Sequence, residues 1–337
     1  MTTDSHGDAV GTPTGRSRQF VAGVGVLFWT WLLARWAYHN TLLDSVTTAV
    51  GLPGFIRSDL GVSQREPWVP AEPFEATADS IGGLAADLGP AAVLAEWLAW
   101  PFELAALAVS AEPAFAAGAF VTIYLTVIPM ALGLFIALPT AVARIYGGPI
   151  SSRLSLAFTE LVRGTPLLAQ LFFFYFALPL AGVIDDIWLM DLSGAPRTAA
   201  VVAIVAFTIN SAAYQAEYIR AALQSVDAGQ LTAGRAVGLS KIQGIRHIVL
   251  PQGLRYAIPG WTNEFIYLLK YTSLAAFITV PELFRRAQNI GSDTFQYTDI
   301  YLIVALWYIA LVLTTSLVMG KLEIRLAVPG VGRAGRE

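Results

Sequence analysis

Residues 224–259 read QSVDAGQLTAGRAVGLSKIQGIRHIVLPQGLRYAIP, a polar, net basic segment between strongly apolar runs. Leu231–Val237 has the composition of a short helix, and Gly238 stands where a terminating glycine belongs. Ser240 can cap a second helix, with Gln243 three residues on as its capping-box partner. Ile242, Ile245 and Val249 then fall on one apolar face, with Arg246 and His247 off it. Pro251, which lacks a backbone donor and disfavours helix before it, predicts the end of that second helix. The segment reads as a helix–glycine–helix hairpin offered to a partner. The competing reading is an amphipathic loop lying on a membrane surface.

The rest of the chain supplies the membrane. Of 337 residues, 55% are hydrophobic and 13% charged, with mean hydropathy +0.59. Soluble domains carry about 25% charged residues. Uncharged or nearly uncharged runs cover Pro113–Ala143, Gly164–Ile184, Thr198–Ala216, Ile258–Phe284 and Ile300–Gly320, each long enough for one crossing. Phe20–Trp36 is a further run of spanning length. A signal peptide is the alternative there, but Arg35 near its end and the lack of a small-residue cleavage site favour a retained helix. Residues 88–109 are apolar but carry Glu96, Glu103 and Pro101. A carboxylate at a helix centre costs about 2.5–3.5 kcal/mol on insertion, so this stretch reads as an interfacial helix.

The organisation expected is a cytoplasmic tail (1–19), an N-terminal transmembrane helix (20–37), an extracytoplasmic loop with an interfacial helix (38–112), a five-helix membrane domain (113–322) and a cytoplasmic tail (323–337). Arg144 and Arg153, the cations of the 224–259 loop, and Lys321, Arg325, Arg333 and Arg336 then share one side. The positive-inside bias makes that side cytoplasmic, with both termini inside. The opposite connections hold Asp185, Asp186 and Asp191, although Arg285 and Arg286 lie there too.

Several chemistries are excluded. There are no cysteines, and His6, His39 and His247 are scattered, so no metal cluster is expected. No GxxxxGK[ST] occurs, so any ATP-driven work belongs to another subunit. A formal charge of −3 argues against nucleic acid as a partner.

The hairpin also resembles a known signature. Permeases of binding-protein-dependent ABC importers carry Glu-Ala-Ala, three residues, Gly, nine residues, then Ile-x-Leu-Pro. Here Thr232-Ala233-Gly234, Gly238 and Ile248-Val249-Leu250-Pro251 stand at the same spacing. Thr232 and Gly234 depart from the triplet, so an ion pair from the first position to an ATPase is in doubt. Arg163-Gly164-Thr165-Pro166-Leu167-Leu168 is similar to a stretch of the polar amino-acid subgroup. So are Tyr214-x-x-Glu217-x-x-Arg220, Asn263-Glu264-Phe265 and Leu269-Lys270-x-x-Ser273-Leu274. The resemblance spans roughly residues 113–322 and leaves the first 112 uncovered.

It implies an all-α membrane protein of the type I importer permease fold. The implied function is a non-catalytic subunit moving polar or charged amino acids by alternating access. Two ABC ATPase subunits would bind the ATP and magnesium; this chain needs no cofactor. A second permease (an identical copy or a related one) and an extracytoplasmic binding protein complete the assembly. Ala233, Gly238, Leu239, Ile242 and Pro251 are expected to couple to the ATPase. Gln170, Asn210, Tyr214 and Lys270 are expected along the substrate pathway. A charge at the depth of Lys270 faces a bundle interior, a water path or an opposite charge; a salt bridge to Glu160, Glu217 or Glu264 is the bland alternative. Glu160 with Arg163 and Glu217 with Arg220, each three apart, read as local pairs, with Glu217 also open to a pathway role. Pro166 is expected to kink its helix, freeing a carbonyl for Thr165. Two other readings compete: an ion-coupled transporter using Glu160, Glu217 and Lys270 as a relay, and a membrane scaffold whose loop only docks a partner.

Overall fold

A computed structural model describes residues 15–50, 56–85, 89, 92–178, 180–186 and 197–326, with no strand among them. The outermost tails, including Arg333 and Arg336, and the loop residue Asp191 lie outside the described residues. Helix α1 (Gly15–Tyr38) contains the 20–37 segment and is followed by the short α2 (Thr41–Ala49). A hairpin of α3 (Glu72–Ala85) and α4 (Ala92–Ser110) leads through Ala111 into α5 (Glu112–Tyr146). Then come α6 (Pro149–Arg163), α7 (Leu167–Phe172), α8 (Leu180–Asp185), α9 (Thr198–Gln224), α10 (Ala228–Ala236), α11 (Lys241–Gly244), α12 (Leu250–Tyr271), α13 (Leu283–Thr294) and α14 (Tyr297–Leu326).

By length and composition four helices suffice to cross a membrane: α4, α5, α9 and α14. Helices α1 and α12 are also long but less apolar. Of the five expected runs, those of α5, α9 and α14 are single helices. The other two are broken, against expectation. The Gly164–Ile184 run breaks into α7, a π-helical turn over Phe173–Ala177, and α8. The Ile258–Phe284 run leaves α12 at Tyr271, passes through a 3₁₀ segment (Thr272–Ile278) and turns at Thr279, which has φ 66°. Inside a bilayer such breaks persist only where protein satisfies the freed backbone groups. Glu282, fully buried, does so at the second break. Its carboxylate accepts from the amides of Phe284 (2.8 Å) and Arg285 (2.7 Å) and from the Tyr308 hydroxyl (2.9 Å).

Helix α9 is the core of the bundle. Two thirds of its apolar window is buried, and it packs along α5, α6 and α12. Small residues permit this approach: a β-carbon on Gly133 would lie 3.1 Å from the Ala212 amide, and one on Gly253 3.3 Å from the Leu223 Cα. Glycine and alanine seams are how membrane helices associate, since lipid gives no hydrophobic gain for helix–helix burial.

Helix α5 sets the long axis. At its start, Glu112 pairs with the buried Arg35 of α1 at 2.9 Å; at its end, the Tyr146 carbonyl accepts from Lys241 of the basic hairpin at 2.7 Å. Thirty-five residues at 1.5 Å each put these two points about 50 Å apart. The described residues of 38–111 that join α1 to α5 and the tip of the 224–259 hairpin therefore occupy opposite ends of the bundle. Arg35 also donates to the Glu66 carbonyl and lies under the Trp68 ring, 5.2 Å from its centre. Trp36 donates to the Ala116 carbonyl at 2.7 Å and Trp29 to Thr314 Oγ1 at 2.8 Å, seating α1 against α5 and α14. His39 extends the cluster: its Nδ1 lies 2.8 Å from the Arg57 carbonyl and its Nε2 3.3 Å from Arg35 Nη1. Because arginine only donates, Nε2 accepts and the ring is neutral. Burial holds its pKa below 6.5, and the charges of Arg65, Arg35 and Arg57 push the same way.

Two outcomes are expected. Removing one member of a buried ion pair strands its partner, so Arg35→Ala should lose about 3–5 kcal/mol in chemical unfolding followed by tryptophan fluorescence. The double variant Arg35→Leu/Glu112→Leu should recover part of it; unchanged unfolding of Arg35→Ala would refute the anchoring role. A lowered histidine pKa contributes stability above pH 6.5 that is lost as pH falls through the folded value. Thermal melting should therefore drop with acidification in this range, and less steeply in His39→Gln.

Candidate functional site

Two groups of residues stand out, one at the tip of the hairpin and one between α6, α7, α9 and α12. In the hairpin, Asp227 caps α10, accepting from the Gly229 amide at 2.6 Å. Gly238, at φ 94°, turns the chain, and the Leu239 amide returns to the Gly234 carbonyl at 3.1 Å. Ser240 and Gln243 form the expected capping box. The two arms interlock through glycine. A β-carbon on Gly234 would sit 2.6 Å from Ile248 Cδ1, and one on Gly244 2.6 Å from Leu231 Cδ1. Each arm thus receives a methyl group of the other. Gly234, one of the two departures in the triplet, seats the Ile248 δ-methyl in this contact.

Pro251 does not end the second arm. A π-helical turn over Ile245–Val249 joins α11 to α12, and the Leu250 amide bonds to the Ile245 carbonyl, five residues back. Pro251 then occupies the first turn of α12, where no donor is needed. The arm runs from Lys241 to Tyr271 without interruption. Ile242 also differs from expectation: Ile245 and Val249 are buried, but Ile242 is 77% exposed and Val237 81% exposed. Ala233 is also exposed, as are Arg235, Lys241 and Arg246 on the same hairpin. Leu239 is half-buried, against Gly234.

The second group gathers residues far apart in sequence. Pro166 does not kink a helix but separates two: α6 ends at Arg163, and Pro166 opens α7 with extended backbone. The carbonyls this frees are met locally. Thr165 Oγ1 donates to Leu161 and Val162, and Gln170 Nε2 to the Val162 (2.6 Å) and Thr165 (3.1 Å) carbonyls. Gln170 Oε1 then accepts from Asn210 Nδ2 at 3.0 Å, and Asn210 is buried. Two expected pathway residues therefore bond to each other and hold the α6–α7 break against α9.

Arg163 does not pair with Glu160, which makes no ion pair among the described residues. It turns to α9, 4.0 Å from Glu217 Oε2 and 5.3 Å from the centre of the Tyr214 ring. Glu217 pairs with Arg220 as expected, and Arg220 continues to Gln224 Oε1 at 2.7 Å. Lys270 contradicts the salt-bridge reading: its ammonium stands 4.6 Å from the centre of the Tyr267 ring, exposed on the outside of this single chain. It borders a groove of about 400 Å³ with Ser273, Phe284, Tyr308, Val312 and Leu313. Glu160, Glu217 and Lys270 are thus not linked into a relay. Sequence reasoning did not single out Gln215, which donates to the Met130 carbonyl and to Ser211 Oγ, both at 3.0 Å. Thr208, Ser211 and Gln215, at i, i+3 and i+7 within an uncharged run, were the available signal.

The comparisons with known proteins bear on both groups. Residues 129–328 match the family described as the binding-protein-dependent transport system inner membrane component. The chain is 40% identical over 218 residues to the glutamine transport system permease protein GlnP of Escherichia coli (strain K12), covering 65% of this chain and 95% of that one. It is 37% identical to the L-cystine transport system permease protein TcyB of Bacillus subtilis (strain 168), over 64% of this chain and 87% of that one. Among solved structures it is similar to an amino acid ABC transporter crystallised with histidines, with TM-score 0.54 and 31% identity, over 64% of this chain and 94% of that one. The inward-facing MetNI methionine ABC transporter, at 21% identity and TM-score 0.55, shares the fold over 64% of this chain and 97% of that one.

The interlock at the hairpin generates a sharp expectation. Gly234→Ala should lower the melting temperature, and Ile248→Val, which removes the δ-methyl it would strike, should restore most of the loss. Strictly additive melting shifts for Gly234→Ala and Ile248→Val would refute the interlock.

Proposed function

The chain belongs to the family of binding-protein-dependent transport system inner membrane components, and we propose that it moves polar amino acids across the cytoplasmic membrane by alternating access. Its own residues supply the path and the mechanical contact. ATP and magnesium are held by two ABC ATPase subunits, and an extracytoplasmic binding protein delivers the substrate. The observation that carries this reading is the hairpin tip: a preformed, glycine-interlocked knob with Val237 and Ile242 exposed on a basic hairpin. An isolated surface loop has no use for such a knob, whereas a motor subunit needs a rigid apolar handle. The positive-inside bias supports a cytoplasmic position for it, and with it for both termini.

The amino-acid assignment rests on the relatives and on the polar residues between α6, α7 and α9. Arg163, Tyr214, Asn210 and Gln170 line the seam that must change when the helices rock. Lys270 requires cover, because an ammonium at that depth is costly in lipid. A second permease, seated over the Lys270 groove, supplies it and places the groove at the central path of a dimer.

Reconstitution with the partner ATPase and binding protein tests the assignment. Amino acid presented with the binding protein should stimulate ATP hydrolysis. Val237→Asp/Ile242→Asp should cut that stimulation about tenfold or more, a loss of at least ~1.4 kcal/mol, without changing hydrolysis by the free ATPase. Uptake driven by a proton gradient in vesicles lacking any ATPase would overturn the proposal.

A further inference from the structure

Helix α4 is long and apolar enough to cross a membrane, and its surroundings forbid it. We infer that the α3–α4 hairpin is a paddle lying flat in the lipid headgroup and upper acyl region, at the end of the bundle opposite the 224–259 hairpin. Its partner is the lipid surface itself.

The first argument is the level of its attachments. Midway along α4, Trp100 donates to Asp299 Oδ1 at 2.9 Å, and Asp299 is in the first turn of α14. The end of α4 leads through Ala111 directly into Glu112, the first residue of α5 and the partner of Arg35. Trp100 and Ala111 are eleven residues apart, about 16 Å of helix, yet both sit at the same end of the bundle. A helix so attached does not run back down the bundle beside α5, as a crossing helix would.

The second is the company α4 keeps. Helix α3 packs along it, with Ala78 buried and Phe74 and Ile81 half-buried, spaced i, i+4, i+7. The far side of α3 carries Glu72, Glu75 and Asp79, all exposed. A crossing α4 would drag these three carboxylates into hydrocarbon at about 2.5–3.5 kcal/mol each on the insertion scale. Lying flat, the hairpin keeps α3 in water. The faces of α4 agree. Ala95, Ala99 and Ala106 are buried, whereas Val93, Leu94, Trp97 and Leu98 are more than half exposed on other sides. At 100° per residue, Trp97 points directly away from the alanine seam, and Glu96 and Glu103 share one flank between seam and apolar face. That layering, polar helix above and apolar helix below, is that of an interfacial element.

The third concerns the alternative occupant, a second copy of the chain. On α14 the stripe Ile300, Ile303, Trp307 and Leu311 belongs to the core shared with α1, α4 and α5. Ile309 and Leu313 line the Lys270 groove on the opposite side of the same helix, with Tyr308 and Val312 on the flank between groove and core. The side whose lysine needs protein cover is therefore the side away from the paddle, and the paddle is left to lipid.

The chain has no cysteine, so single spin labels can be placed without background. Leu94→Cys, Leu98→Cys, Glu75→Cys, Asp79→Cys and, as a mid-bundle reference on α5, Val127→Cys are reconstituted in phosphatidylethanolamine–phosphatidylglycerol vesicles. Accessibility to oxygen and to a water-soluble nickel chelate is then read by power saturation. Labels at 94 and 98 should be severalfold more accessible to oxygen than to nickel and equally shallow, well above the label at 127. Labels at 75 and 79 should favour nickel. A label at 94 as deep as that at 127 would mean a crossing and overturn the inference. So would labels at 94 and 98 shielded from both reagents until the protein is diluted to one copy per bilayer disc, which would mean a second copy covers the face. Neither readout involves ATP or an amino acid, so the result stands apart from the transport assignment.

Discussion

Helix α9 lies so close to its neighbours that Gly133, Gly253 and Gly260 have no room for a β-carbon; one on Gly260 would be 2.8 Å from the Tyr218 ring. Everything else in the bundle depends on this approach. It brings α5, α6 and α12 to one axis, and it places Asn210, Tyr214 and Glu217 where α6 and α7 can reach them. Without a hydrophobic gain between helices in lipid, dispersion over these close backbones and the polar bonds they permit are what hold the assembly. Gln170 shows the two working together. It satisfies the carbonyls released at Pro166 and, from the same amide, ties that break to α9.

Much of this was legible in the sequence where a local rule decides. Gly238 ends one helix and Ser240 with Gln243 begins the next because capping is a short-range matter. Glu217 and Arg220 pair because residues three apart on a helix are neighbours. The membrane helices α5, α9 and α14 follow from apolar length. What local rules could not reach were choices made by the third dimension. Arg163 has two carboxylates in reach, Glu160 on its own helix and Glu217 on the next, and the second wins because Tyr214 flanks it there. Lys270 was read as facing a bundle interior, a water path or an opposite charge; it rests on Tyr267 beside a groove that a single chain leaves open.

The prolines teach the same lesson from both sides. Pro166 was read as a kink and is a complete break, since Gly164 and Thr165 before it offer the chain an exit and Gln170 stabilises it. Pro251 was read as a stop and is passed through, since a π turn shifts the hydrogen-bond register just ahead of it. A proline removes one donor; whether the helix survives depends on what else can take up the orphaned acceptor.

The uninterrupted arm from Lys241 to Tyr271 has a mechanical consequence. Thirty-one residues of helix make a strut about 45 Å long, resting against α9 at Gly253 and Gly260. Its far end carries Lys270. A tilt about those two glycines would move Ile242 and Lys270 in opposite directions. The π turn over Ile245–Val249 and the internal Pro259 are the two places where the strut's hydrogen-bond ladder departs from a regular α-helix.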